Sequence, residues 1–462
     1  MSEQKSGNKK PNILFIIADD HRSDSIGVYG NPHVRTPNLD RLAAEGVLFQ
    51  SVYTMGGQTA ALCVPCRASL LTGANAFRST VSNKEVTLAE TEDRSLWELN
   101  PALAILPEVL RQEGYRTFGT GKWHNGKAAF ARSFSDGANI FFGGMGDHVG
   151  LPVHGYDLDG IYPQEAAQMS SVFSSELFAE TASDFIQSYE SDEPFFLYVA
   201  FTAPHDPRTP PPGYSELYSP EGLPLPGNFM TEHPFDNGEL QVRDEQLAVT
   251  PRQPEEIRRH LADYYSMITH MDEQIGRILH TLEASGRADD TIVVYTADHG
   301  LALGQHGLLG KQNLYEHSVH IPLVMRGPGL PQAAGIEALG CQIDIFPTLC
   351  DLTGISCPQT AEGRSLAPLL LGQAAAVREN VFAAYKSLQR MVRDDRWKLI
   401  RYYRSGGGGS ERTQLFDLQA DPWEVSDLSG ESAHEPHLRR LEAQLLQWQR
   451  NVGDPLLIET AH

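Results

Sequence analysis

A short string, Cys63-Val64-Pro65-Cys66-Arg67, opens a stretch of helical character that continues through Ala68-Ser69-Leu70-Leu71-Thr72-Gly73. Arg67 stands four residues past Cys63, so a helix beginning here carries sulfur and guanidinium on one face. A helix N-terminus already favours anions. A reactive side chain, a rigid turn and a fixed cation within one helical turn suit attack on a tetrahedral oxyanion. Two acidic strings, Asp19-Asp20 and Asp298-His299, offer a second kind of chemistry. Adjacent carboxylates repel unless a cation sits between them. Oxygen-rich clusters select hard divalent cations such as calcium or magnesium, whereas an imidazole at 299 suits transition metals better. Solvated turn aspartates are the plainer reading of either pair alone; finding both pairs at strand ends reverses that preference.

Other cationic and titratable groups stand in short strings: Lys122 and His124 in Gly-Lys-Trp-His, His205 in Ala-Pro-His-Asp-Pro, and Lys311 in Gly-Lys-Gln-Asn-Leu-Tyr-Glu-His. An imidazole titrating near 6.5 is within reach of proton transfer at neutral pH. With 17 histidines in the chain, only its place after a strong strand singles out His205. Asp147, His148 and His154 lie in a segment rich in glycine and histidine that could line a pocket or simply hold a loop. Cys63 and Cys66 also read as Cys-x-x-Cys, half of a zinc site or a redox pair, yet no second Cys-x-x-Cys or His pair at ligand spacing accompanies them.

The elements that must position these groups follow an α/β pattern, apolar runs alternating with longer amphipathic segments. Residues 12–18 form an isoleucine-rich run, as expected of a strand buried on both faces, and end in Asp19-Asp20. Residues 38–45, with Pro37 before and Gly46 after, read as a capped helix. Strands are predicted at 116–119, 194–201, 291–295 and 321–325, and a helix over 254–285. The chemically interesting residues thus fall just past the carboxyl ends of predicted parallel strands, where open α/β sheets bind ligands. Residues 207–226 are proline-rich and aperiodic, a surface loop flanking the substrate region. Beyond about residue 370 the pattern changes to short antiparallel strands at 381–385, 391–393, 397–403 and 414–418. Residues 406–409 form a hairpin loop, and a last amphipathic helix covers 437–451. The expected division is a catalytic domain at 1–370 and an α+β subdomain at 371–462.

Composition narrows the partners. At 462 residues, 41% hydrophobic and 21% charged, the chain is an ordinary globular protein of more than one core. A formal charge of −22 argues against nucleic acid and anionic membranes. Surface charge fades over about 8–10 Å at physiological salt, so local cations must outweigh it at any anion site. Five cysteines form no dense disulfide framework. Residues 1–10 are polar and basic without an apolar core, and no run is long enough to span a bilayer, so the sequence as written reads as cytoplasmic. A leader removed from a precursor would make it periplasmic or secreted.

These strings, in this order, resemble the type I, formylglycine-dependent sulfatases of the alkaline phosphatase superfamily. The likeness runs from Pro11 to about Leu366 and on to Gln414-Leu415-Phe416-Asp417-Leu418 with Asp421-Pro422. The Cys63 string is the nearest to diagnostic, and Pro65-Cys66-Arg67 fits it better than a zinc site. The resemblance implies an alkaline-phosphatase-like mixed sheet flanked by helices, with a small C-terminal antiparallel sheet plus helix. It also implies that Cys63 is converted to formylglycine by a modifying enzyme, and that Asp19, Asp20, Asp298, His299 and residue 63 surround one divalent ion, usually calcium, with manganese or magnesium as alternatives. By the same resemblance Arg67 orients the nucleophile, Lys122 contacts the sulfate, and His124 removes a proton from the hydrate. His205 and Lys311 would contact the sulfate and protonate the leaving group. Position 299 departs from the commonest pattern, where an amide follows the aspartate, and Asn125 stands where a hydrophobic residue is more usual. The activity implied is release of inorganic sulfate from an aryl or carbohydrate sulfate ester. The alternative is a phosphonate monoester or phosphodiester hydrolase of the same superfamily, from which the acidic Asp20 leads away.

Overall fold

The computed structural model describes residues 10–81 and 98–459. The polar N-terminal stretch, Lys10 excepted, lies outside the described residues. A large sheet is built from β1 (Asn12–Ala18), β2 (Val47–Tyr53), β4 (Arg116–Lys122), β5 (Asp136–Phe141), β6 (Phe195–Ala200), β7 (Thr291–Ala297), β8 (His320–Arg326), β9 (Ala334–Ile336) and β10 (Gly340–Cys341), with β3 (Gly56–Gly57) reserved for a second sheet. Its order is β9-β2-β8-β7-β1-β6-β4-β5, with β10 also paired to β2. Strands β7, β1, β6, β4 and β5 run parallel. The predicted strand at 321–325 is β8, and it is antiparallel to both neighbours. Its glycine-proline turn at 327–329 therefore lies away from the end where the chemistry gathers.

Strand β1 explains why both faces are covered. Ile13, Phe15 and Ile17 point into one core, while Leu14, Ile16 and Ala18 point into another, all of them fully buried. This is the period-2 alternation of a strand with apolar layers on each side. On the second face lie α1 (Pro37–Ala44), α3 (Ser174–Ser188) and α4 (Pro254–Ala284), through Leu39, Phe178, Ile275 and Leu279. The first face receives α2 (Cys63–Thr72) and α5 (Ile345–Thr353), through Leu70, Leu71, Phe346 and Leu349. Among the described residues no helix is long and apolar enough to cross a membrane.

The second sheet contains β11 (Val381–Tyr385), β12 (Gln389–Arg393), β13 (Trp397–Tyr402) and β14 (Arg412–Asp417), all antiparallel, ordered β14-β13-β12-β11-β3. The fifth member, β3, runs parallel to β11 and comes from the segment just before Cys63. A two-residue strand of glycines carries no pattern that sequence reasoning detects. Its glycines are nevertheless required: a Cβ on Gly57 would fall 2.2 Å from the Pro65 ring. Helix α6 (Glu435–Val452) packs on this sheet through Leu441, Leu445 and Val452. The glycine run 406–409 is the β13–β14 hairpin, as expected.

Just past α6, Asp454 accepts two bonds from the Arg390 guanidinium on β12, at 2.6 and 2.7 Å, with both side chains fully buried. Removing one partner of such a pair strands a buried charge. Arg390→Ala should therefore destabilise the protein by about 3–5 kcal/mol, read from urea unfolding. A change below about 0.5 kcal/mol, the range of an ordinary surface substitution, would show that the pair does not anchor this sheet.

Candidate active site

Strand order places the functional groups. Because β1 lies between β7 and β6, the residues that follow these strands converge at one sheet end. The Asp298 amide donates to the Ala18 carbonyl at 3.3 Å, and the Asp19 amide to the Ala203 carbonyl at 3.1 Å. Asp20 sits at φ 65°, an uncommon conformation for a residue with a side chain. Two bonds hold it there: its amide donates to Asp298 Oδ1 at 3.1 Å, and the Tyr264 hydroxyl donates to its carbonyl at 2.7 Å. Lys122 is the last residue of β4. Before it, Gly121 has φ +87°, and a Cβ there would lie 2.0 Å from the Ala200 carbonyl oxygen.

Three groups do not follow strands of the large sheet, which corrects the expectation of strand-end placement for every site residue. Cys63 opens α2, Arg67 lies one turn further along it, and Lys311 lies in a loop. The first turn of α2 is held by Asn125, whose carboxamide donates to the Val64 carbonyl at 2.9 Å. That contact gives a use for the amide where the resemblance led one to expect an apolar side chain. Cys66 is buried, accepts from the Thr54 hydroxyl at 3.0 Å, and has its thiol pushed up by burial. It packs as a structural side chain, and none of the five cysteines forms a disulfide.

The ten residues to which the resemblance assigns a catalytic or metal role meet here. Ligand atoms of Asp19, Cys63, Asp298 and His299 lie within 4.8 Å of one another, and Asp19, Asp20 and His205 form a second such group. Arg67 reaches back as its helical position predicts. Its Nε donates to Asp298 Oδ2 at 2.9 Å, Nη1 to the Lys122 carbonyl at 2.9 Å, and Nη2 lies 3.9 Å from Asp19. Lys122 pairs with Asp19. Lys311 lies 3.0 and 3.2 Å from the two oxygens of Asp20, and His299 Nδ1 is 3.0 Å from the nearer one. Three buried carboxylates are thus ringed by Arg67, Lys122, Lys311 and His299.

The electrostatics follow from that ring. Burial raises Asp19 to about 7, with Asp298 adding to the rise against the pull of Lys122. Burial would raise Asp298 as well, but His299, Arg67 and Lys122 hold it well below the usual carboxylate range. Burial opposes the charge on His299, yet Asp298 and Asp20 lift it to about 9. At residue 63 burial is outweighed by Lys122, Lys311 and His124, so the thiol falls well below its ordinary value. Position 63 is built to carry negative charge. Burial pushes His124 down to about 4 against the Cys63 side chain bonded to it, so its ring is neutral at pH 7.

A cavity of about 330 Å³ opens onto Cys63, His124, His205 and Lys311. His205 Nδ1 lies 2.7 Å from the Asp206 carbonyl, which accepts its proton and leaves Nε2, 3.7 Å from Asp20, on the reactive side. His148 supports this residue rather than lining the pocket: its Nε2 is 3.1 Å from the His205 carbonyl. His154 packs between Phe142 and Tyr162, and Asp147 is exposed. The mouth is formed by Phe142, Met145, Val242, Arg243 and Asp244. Arg243 pairs with Asp206 and Asp244, and no sequence signal marks it, because 239–247 lacks periodicity. The pocket takes its mouth from this stretch and not from the prolines of 207–226. Gln342 was also missed; its carboxamide donates to the carbonyls of Ala297 and Asp298 at 3.1 Å and fixes the Asp298 loop.

Comparison with known proteins agrees with this geometry. The sulfatase family model matches residues 11–355, and that of the N-sulphoglucosamine sulphohydrolase C-terminal region matches 304–451. An N-acetylglucosamine-6-O-sulfatase of Bacteroides thetaiotaomicron is 26% identical over 98% of this chain and 88% of its own length. An arylsulfatase of Clostridium perfringens is 28% identical over 95% of this chain and 94% of its own. A solved structure in complex with its substrate D-glucosamine-2-N,6-O-disulfate superposes with TM-score 0.79 at 24% identity, covering 97% of this chain and 99% of that one. The structural likeness bears on the fold, and the family match spans most of the sequence: the chain belongs to the sulfatase family.

Proposed function

We propose that this protein hydrolyses organic sulfate esters, aryl or carbohydrate, at residue 63 beside a bound divalent cation. One observation carries the reading: donors of Asp19, Cys63, Asp298 and His299 lie within 4.8 Å of one another, and Cys63 opens from that group onto a cavity that Lys311 and His205 also line. The donor set suits a hard dication. Asp19 Oδ1 is buried and accepts no hydrogen bond from the protein, the situation of a ligand atom awaiting a cation. Asp19, Asp20, Asp298 and, once its ring gives up its proton to the metal's charge, His299 would hold the ion, calcium by its preference for carboxylates, with magnesium or manganese as alternatives. When bound, the ion supplies Lewis-acid charge to the sulfuryl oxygens.

The Cys63 sulfur stands in for the oxygens of the side chain that a formylglycine-generating enzyme would make. Hydrated formylglycine supplies one hydroxyl to attack sulfur and a second from which the aldehyde is regenerated. The chain's own groups do the rest. His124, neutral and bonded to the residue-63 side chain, accepts the proton that the second hydroxyl must lose. His205 as the imidazolium, its Nδ1–H held by the Asp206 carbonyl, delivers its Nε2 proton to the departing ester oxygen, with the Lys311 ammonium beside it. Lys122 and Lys311 balance charge on the sulfuryl group, and Arg67 holds Asp298 in place. Phosphonate monoester or phosphodiester hydrolysis is the runner-up. Parallel kcat/KM values on an aryl sulfate and an aryl phosphonate separate the two, the sulfate being turned over faster.

Thorough chelation should abolish turnover and lower the melting temperature, since an ion at one hundred times its Kd contributes about 2.7 kcal/mol. Added calcium should restore both, and unchanged activity and melting after chelation would contradict a metal role. His205→Ala should slow esters with poor alkyl leaving groups by about 10²–10⁴-fold while sparing activated nitrophenyl sulfates. Equal losses on both would remove His205 as the acid.

A further inference from the structure

The mouth of the active-site cavity carries a charged pair that the reaction above does not use. Arg243 and Asp244 both line the cavity, and both keep accessible surface, their side chains being 40% and 15% exposed. Arg243 Nη1 donates to Asp244 Oδ1 at 3.1 Å, and Nη2 donates to Asp206. Two of the five guanidinium N–H groups are thus engaged among the described residues, and three remain. Asp244 Oδ2 accepts from the Gln312 carboxamide at 2.8 Å, so each of its oxygens holds one bond and has a lone pair to spare. The pair stands on the leaving-group side. Asp206, which Arg243 grips, follows His205 in the chain, and His205 Nδ1 lies 3.5 Å from its carboxylate.

We propose that Arg243 and Asp244 determine specificity, selecting as leaving group one sugar ring, uncharged apart from its ester, through a ring hydroxyl. The inference rests on sulfate-ester hydrolysis at residue 63. With Nη1 and Oδ1 3.1 Å apart, one hydroxyl can accept from Arg243 and donate to Asp244, and a vicinal pair can span both. A bare arene does neither. Covering these groups with it would cost about 1–3 kcal/mol for each left without a partner. Much of the other lining is apolar, from Ala60, Ala61, Phe142, Met145 and Val242, and suits the C–H edges of the same ring. Charge speaks against a second anionic group. Burial would raise Asp244, but Lys311 and the Gln312 carboxamide hold it below the usual carboxylate range. Burial would raise Asp206 too, but His205 and the bond from Arg243 hold it well below that range. Arg243 is therefore answered by two ionised carboxylates, and Lys311 by Asp20. A volume of about 330 Å³, at the small end of ligand sites, suits one ring with its sulfate.

The test compares kcat/KM of the full chain, supplied with calcium, on the O-monosulfates of galactose and N-acetylglucosamine and on cyclohexylmethyl sulfate. The last is an alkyl ester too, so it needs the same proton from His205 but has no ring hydroxyl. At least one sugar sulfate should exceed it by about 100-fold, as hydrogen bonds to charged groups allow. Arg243→Lys keeps a cation beside Asp206 and loses the planar fork, and it should cut that advantage about tenfold or more. If Arg243→Lys does not fold, Asp244→Asn, which removes the charged acceptor, should cut it likewise. A second sulfate on the favoured sugar should lower kcat/KM. Turnover of nitrophenyl sulfate without preference for any sugar over cyclohexylmethyl sulfate would overturn the inference while leaving sulfate-ester hydrolysis standing. An advantage unchanged in the variants, or a gain from the second sulfate, would overturn it as well. Failure on every sulfate ester would remove the underlying reaction and the inference together.

Discussion

Three carboxylates, Asp19, Asp20 and Asp298, are buried together at one end of the large sheet, and the rest of the active end is arranged around that fact. Asp19 lies within 4.8 Å of each of the other two, and at such separations a like-charge pair costs about 3–4 kcal/mol at an effective dielectric near 20. The sequence brings them together at the ends of adjacent parallel strands and then surrounds them with positive charge. Arg67 arrives from the second turn of α2, Lys122 from the end of β4, Lys311 from a loop and His299 from beside Asp298. A divalent cation among the acids would relieve what repulsion remains. The same cations lower the proton affinity of position 63 and so favour an anionic species there. One electrostatic arrangement would thus serve both the proposed ion and the proposed nucleophile.

Such a cluster needs a rigid frame, because charges this close gain or lose several kcal/mol with small displacements. β1, fully buried on both faces, supplies the centre of that frame. Helix α2 is tied on three sides: Pro65 packs on Gly57 of the second sheet, the Asn125 carboxamide holds the Val64 carbonyl, and Cys66 meets Thr54. The second sheet therefore bears directly on the segment that presents residue 63, through two glycines that admit no side chain. The net charge of −22 is compatible with an anionic substrate because the four cations beside the cavity floor are buried and little screened.

Much of this was legible in the residues themselves. The Arg67 position follows from helical spacing alone, and the strands bearing Asp19, Lys122, His205 and Asp298 announce themselves as apolar runs. The reading fell short where local pattern carries no information. Strand β8 reads like its parallel neighbours because a buried antiparallel strand is equally apolar. The Gly56–Gly57 pairing leaves no periodicity, and Arg243 and Gln342 act through tertiary contacts that only folding creates. His124 illustrates a different gap: its type suggested titration near neutrality, whereas burial moves it down to about 4 and makes it a neutral acceptor. Burial is a property of the assembled core and has no signature at a single position.

The account stands on the chemical state of one side chain in an electropositive, water-poor corner. The most direct measurement is the fragment mass spectrum of the peptide containing residue 63, taken from protein whose turnover of an aryl sulfate has been measured on the same sample. The account predicts an aldehyde or its hydrate at that position, in proportion to activity. An unmodified thiol throughout fully active material would contradict it.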